Sequence, residues 1–128
     1  MSIEAALYAR ITSQVSALGS RLYPIELPPN TQYPAATYQF NSGRSVQSHD
    51  RTPSGASAFD SVTITVLAGT RVEALAVRAA IQAAIEPGRW SEGTVSVYSC
   101  WKVDSFDLER DSLARIEGVA HVFDIMHS

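Results

Sequence analysis

The side chains here that could do chemistry beyond packing are three histidines, one cysteine and a run of carboxylates. His121 and His127 share one side of an extended segment but stand six positions apart. At ~3.3 Å per residue they are roughly 20 Å apart, too far to share an ion. His49 falls in a polar loop, where it would complete a site only by accident. Cys100 has no second cysteine to begin a zinc pattern. It sits beside Trp101 without the basic setting that activates a thiol, and reads as a small core residue. Asp104, Asp107, Glu109 and Asp111 resemble a calcium loop only superficially, because the central glycine is missing. They read as a solvated hairpin turn. Serine, aspartate and histidine all occur, yet there is no G-x-S-x-G elbow and no glycine-rich phosphate loop. A pocket gathering those three side chains would be the mark of a hydrolase. Trp90, Trp101, Tyr98 and Tyr38 are candidates for stacking on bases, but stacking platforms come with a positive groove. The chain predicts no catalytic, cofactor-binding or metal-binding set.

Bulk composition agrees. A chain of 128 residues has room for one domain around one core. Hydrophobic residues make up 45% and charged residues 18%, which is globular and not disordered. The formal net charge of -3 gives no pull towards nucleic acid or an anionic membrane. A single cysteine excludes an intrachain disulfide and fits a reducing compartment. The segment Met1-Ser2-Ile3-Glu4 lacks the basic and apolar runs of a signal peptide, and no stretch approaches the ~20 apolar residues of a membrane helix. A soluble protein made in the cytoplasm is expected.

The elements that must position these residues follow from periodicity. Ser2 can cap a helix whose apolar stripe is Ile3, Leu7, Ile11, Val15 and Leu18, with Gly19 as its stop. Arg21-Leu22-Tyr23-Pro24 reads as extended, and Pro28, Pro29 and Pro34 break the chain after it. Alternation from Ala35 to Phe40 predicts a strand with Ala36, Tyr38 and Phe40 on one face. Residues 41–57 are polar and carry Gly43, Pro53 and Gly55. They predict a long flexible loop, an arm that orders on meeting a partner. Ala58–Ala68 predicts a strand with Val62, Ile64 and Val66 inward. Thr70 and Glu73 then form a capping box for a helix with Ala74, Val77, Ile81, Ala84 and Ile85 on its apolar face, ended by Pro87-Gly88. Arg71, Arg78, Gln82 and Glu86 form its polar stripe. Thr94–Phe106 predicts a strand with Val95, Val97, Trp101 and Val103 on one side. A turn over Asp107–Ser112 leads to a last strand from about Leu113 to His127. Ile116 and Val122 mark one of its faces and Val119, Phe123 and Ile125 the other, so it is either central under a helix or covered by a neighbouring subunit. The fold class expected is α+β, a mainly antiparallel sheet with two helices packed on one face.

This layout resembles the tail completion proteins of long-tailed bacteriophages, also called tail terminators or tail-to-head joining proteins. The resemblance is carried by the opening helix, the step Arg21-Leu22-Tyr23-Pro24 and the segment Tyr33-Pro34-Ala35-Ala36-Thr37-Tyr38. It continues through the helix from Glu73 to Gly88 and the closing hairpin that ends in Val119–Met126. Tyr33 stands where the family usually has leucine. The resemblance implies a structural virion protein: a homo-oligomeric, hexameric ring that caps the tail tube and joins tail to head. Its implied partners are the major tail tube protein and a head-completion or connector protein, with DNA passing through the lumen unbound. It would be assembled in the host cytoplasm and reside in the virion, at the head–tail junction. The alternatives are another neck or connector protein, or a small ligand-binding domain or hydrolase. Subunit contacts are expected at Arg44, His49, Asp50 and Arg51 in the loop, and at Glu109 and Arg110 in the last hairpin.

Overall fold

The structure, a computed structural model, describes residues 2–46, 57–86, 88–108 and 116–128. Helix α1 (Ile3–Gln14) starts where Ser2 Oγ accepts from the Ala5 N–H at 3.1 Å, satisfying a free donor of the first turn. It is shorter than its apolar stripe. After Val15 the chain tightens into turns, with the Arg21 N–H on Leu18 O at 2.9 Å and Gly19 at φ 57°. Val15 and Leu18 are buried nonetheless. The stripe gives the buried side chains from Leu7 onward, omits the buried Ala6 and overextends the helix, while Ile3 is only partly buried.

Strand β1 (Leu22–Pro24) lies parallel to β2 (Ala35–Val46), with Leu22 opposite Ala36. Arg21 clamps this junction: Nε donates to Pro34 O and Nη2 to Ala17 O, both at 2.9 Å. The Tyr33–Pro34 peptide bond is cis. Strand β3 (Ser57–Ala68) runs antiparallel to β2 as far as the pair Val46–Ser57. The loop expected over 41–57 is therefore narrower: residues 41–46 and 57 are strand, and 47–56 lie outside the described residues. Ladder bonds come from the backbone, so a run poor in apolar side chains can still pair.

Helix α2 (Arg71–Ile85) is capped by Thr70, whose Oγ1 accepts from the Glu73 N–H at 3.2 Å. Ala74, Val77, Ile81, Ala84 and Ile85 are all buried, as their spacing requires. Its last carbonyls are met by side chains: Ala84 O by Arg10 Nε at 2.9 Å, and Ile85 O by Trp90 Nε1 at 3.1 Å. Arg10 also lies over the Trp90 ring at 5.6 Å. Trp90, a candidate for base stacking by residue type, is thus a buried bolt between the helices and the sheet.

Strand β4 (Trp90–Glu92) pairs with β5 (Val95–Asp107), and β5 with β6 (Glu117–His127). The last strand is described from Glu117, and Leu113–Arg115, where its apolar pattern starts, lie outside the described residues. Among the described residues the sheet has six strands in the order β1-β2-β3-β6-β5-β4, antiparallel except for β1 and β2. Both helices pack on one face, over Val62, Ile64 and Val66 of β3 and Val119, Phe123 and Ile125 of β6. This is the α+β class expected.

Candidate protein interface on the open face of the sheet

Side chains alternate across a strand, so whichever face the helices cover, the other meets solvent. Which residues of β5 land there is decided by two irregularities. Its register against β6 shifts between Val97 and Ser99 and again between Lys102 and Asp104. Each extra residue reverses the facing that follows. Cys100 therefore turns into the core at 0% exposure, while Trp101 and Val103 turn out at 39% and 48%. The expected grouping of Trp101 and Val103 with Val95 and Val97 is corrected by these bulges.

On the open face Tyr98, Trp101, Val103, Phe106 and Leu108 are all exposed. Phe59 reaches across from β3, its ring centroid 6.1 Å from that of Trp101. Met126 and Val122 of β6 are half-buried between them. Lower down, Gly118 leaves room for its neighbours: a Cβ there would stand 2.6 Å from Leu108 Cδ1 and 3.0 Å from Leu67 Cδ2. The result is an apolar band on a sheet face that no helix among the described residues covers. Bands of this kind mark interaction surfaces, because water gains nothing by wetting them.

Of the residues expected at contacts, Arg44 alone lies among the described residues. The Arg44 backbone lies in β2 opposite Phe59. His49, Asp50, Arg51, Glu109 and Arg110 lie outside the described residues. Asp104 and Asp107, read as part of a turn, belong to β5, and Asp107 pairs with Arg71 at 2.9 Å on an exposed surface. The polar stripe of α2 is not simply wet. Besides Arg71, Arg78 Nη1 donates to Ala120 O at 3.4 Å and Glu86 Oε2 accepts from the Lys102 N–H at 2.8 Å, which seams the helix to β5 and β6.

The titratable groups are structural in their settings. His127 Nε2 lies 2.6 Å from Asp60 Oδ2 in a buried pair, and its Nδ1 is 2.8 Å from Ser128 O. Both ring nitrogens are engaged, so this Asp–His pair presents no free nitrogen to activate a nucleophile. His121 is 4% exposed with Nδ1 unpartnered, edge-on to Phe123 at 5.7 Å. Burial lowers its pKa to about 4, and Arg78 and Lys102 push the same way. Burial pushes the Cys100 thiol up to about 12, with the Glu86 and Asp124 carboxylates adding to it, which leaves the thiol inert. Among the described residues no three His, Cys, Asp or Glu side chains are grouped to hold a metal ion. Nor is any helix among them long and apolar enough to cross a membrane.

No curated protein matches the chain. Among solved structures, a chain of the "Virion of native gene transfer agent (GTA) particle" superposes with a TM-score of 0.65 at 17% identity, covering 98% of this chain and 93% of that one. At that identity the likeness is one of fold. The family described as "Tail completion protein gp17" matches residues 5–127. With nearly its whole length inside that match, the chain belongs to the tail completion family, structural proteins of the phage virion tail.

Proposed function

We propose that this chain is one subunit of a ring, hexameric as the family resemblance implies, that ends the tail tube and joins it to the head, and that it works without catalysis. The observation that carries the reading is the apolar band of Trp101, Phe106, Leu108 and Phe59 on the helix-free face of the sheet. A monomer in water leaves that band wet, whereas a ring buries it between copies or against the tube. The major tail tube protein on one side and a head-completion protein on the other are the proposed partners. The net charge of -3 suits a lumen through which DNA slides without adhering. Arg44, His49, Asp50, Arg51, Glu109 and Arg110 stand as proposed subunit contacts.

Inactivating the gene in its parent phage or prophage tests the reading by negative-stain electron microscopy of the lysate. Filled heads beside separate tails of irregular length are the expected outcome. Joined, infectious particles of normal tail length would refute it.

A further inference from the structure

Among the described residues strand β5 is an edge for most of its length, because β4 pairs only with Val95–Val97. Strand β6 takes the N–H groups that point inward, and the ladder continues to the Leu108 N–H on Gly118 O at 2.9 Å. Antiparallel alternation then turns the N–H groups of Ser105 and Asp107 outward, as that of Lys102 already is. Two of these outward donors meet carboxylates where a strand would offer carbonyls. The Lys102 N–H donates to Glu86 Oε2 and the Ser105 N–H to Asp104 Oδ1, each at 2.8 Å. Native proteins blunt open edges with charges and bulges, because an open edge is a template for another strand. Here a register shift lies between the two caps.

At the far side of the sheet, β1 pairs with β2 only at Ala36–Tyr38, so among the described residues β2 has no outer strand partner from Gln39 onward. Following the pairings β2–β3, β3–β6 and β6–β5, all antiparallel, β2 and β5 run in opposite directions. Copies related by rotation about an axis to which the strands are tilted would bring β2 of one against β5 of the next, antiparallel and head to tail. Phe40 and Lys102 lie on one row across the sheet, through Val62 and Phe123. From that row the free part of β2 runs one way and the free part of β5 the other. Pairing them staggers successive copies, the shear that a closed wall of tilted strands requires.

We infer that the outer edge of β5, from Lys102 to Asp107, is where a second copy of this chain adds its β2 edge, and that Glu86 and Asp104 are stand-in acceptors which the incoming carbonyls replace. The inference rests on the ring reading and specifies its contact. Exchanging carboxylate for carbonyl leaves the N–H groups satisfied throughout, so the caps keep free subunits apart without blocking assembly.

Sedimentation velocity on the full chain tests this with Glu86→Ala plus Asp104→Ala, alone and combined with Ser105→Pro. Proline deletes an outward donor and leaves the inward ladder intact. The uncapped variant should half-associate at a concentration about tenfold or more below the unsubstituted chain, into species larger than two copies, and Ser105→Pro should reverse this. Association unchanged by uncapping, association that survives Ser105→Pro, or growth that stops at two copies each overturns the inference. Should Ser105→Pro unfold the chain, amide exchange on the unsubstituted protein decides. The Lys102 and Ser105 N–H groups must exchange more slowly in assembled tails than in free subunits, and equal rates overturn the edge contact. Rings whose β5 edge still exchanges fast leave the ring reading standing, whereas normal tails made without the protein remove that reading itself.

Discussion

His121 shows what a single residue can cost this fold. Its ring is buried beneath α2 with Nδ1 unpartnered, and it faces Arg78 from the helix, Lys102 from β5 and, opposing them, Glu86. The folded pKa of about 4 lies below the ordinary value of 6.5, so the sign is fixed. Above pH 6.5 the group is neutral in both states and contributes no pH dependence. Between 6.5 and 4 the unfolded chain takes up a proton that the folded chain refuses, and stability falls as pH falls. At about 1.36 kcal/mol per pH unit, lowering the pH from 6.5 to 5 should remove roughly 2 kcal/mol. His121→Leu should abolish that portion and hold or raise stability at pH 7.5, since it removes an unsatisfied buried atom. Urea unfolding of both proteins at the two pH values checks this, and identical pH slopes would sink it. Nothing in the sequence marked His121 apart from His127, because both occupy the inward face of one strand. Their difference is made by neighbours distant in sequence: Asp60 reaches one and Arg78 stands against the other.

At the scale of elements, legibility tracks how many residues repeat a pattern. α2 could be read from its cap and its 3.6-residue period, and β3 from strict alternation. The strand β4 could not, since Trp90, Ser91 and Glu92 are too few to alternate. The facing of β5 was misread for a physical reason: its bulges each add one residue, and no side-chain pattern records an extra backbone residue. The passage from α2 to β4 is equally invisible until the backbone is placed. There Gly88 sits at φ 104°, and a Cβ on it would stand 2.5 Å from Cys100 N and 2.7 Å from Ser99 C. The sequence suggested only a helix stop at this point, whereas the structure adds a backbone-to-backbone contact that admits no side chain. Gly88→Ala combines a disfavoured φ with a clash against the main chain of β5, so it should cost about 2 kcal/mol or more. Thermal unfolding checks it. A melting temperature within a degree of the unsubstituted chain's would mean that the β5 edge yields easily, contrary to its role as the wall on which α2 ends.

For the whole molecule, the question is why a chain of this size leaves aromatic side chains in water when two helices already cover its core. The helix-side face is complete, with Phe123, Leu7, Ile11, Ile64 and Ile81 fully buried, so the open face adds little to the stability of the isolated subunit. On the proposed reading, the apolar band is removed from water in the assembly and not in the fold. Folding and assembly should therefore separate cleanly under substitution. Phe106→Asp and Val103→Asp place a charge on the open face at positions that are 41% and 48% exposed. Each should change the unfolding free energy by roughly 0.5 kcal/mol or little more, as surface changes do. Each should also leave the Asp60–His127 pair and the helix packing untouched. In a phage carrying either variant, tails should lose their uniform length and their attachment to heads. A control at an exposed residue of α2, Val72→Asp, changes the same charge on the helix side at 80% exposure and should complement normally. If Val72→Asp fails as badly as Phe106→Asp, the helices rather than the open sheet face carry the contact. If all three complement, the band is not an interface at all. Failure confined to the two sheet-face variants, in proteins that melt normally, would assign the assembly surface to the one face that folding leaves bare.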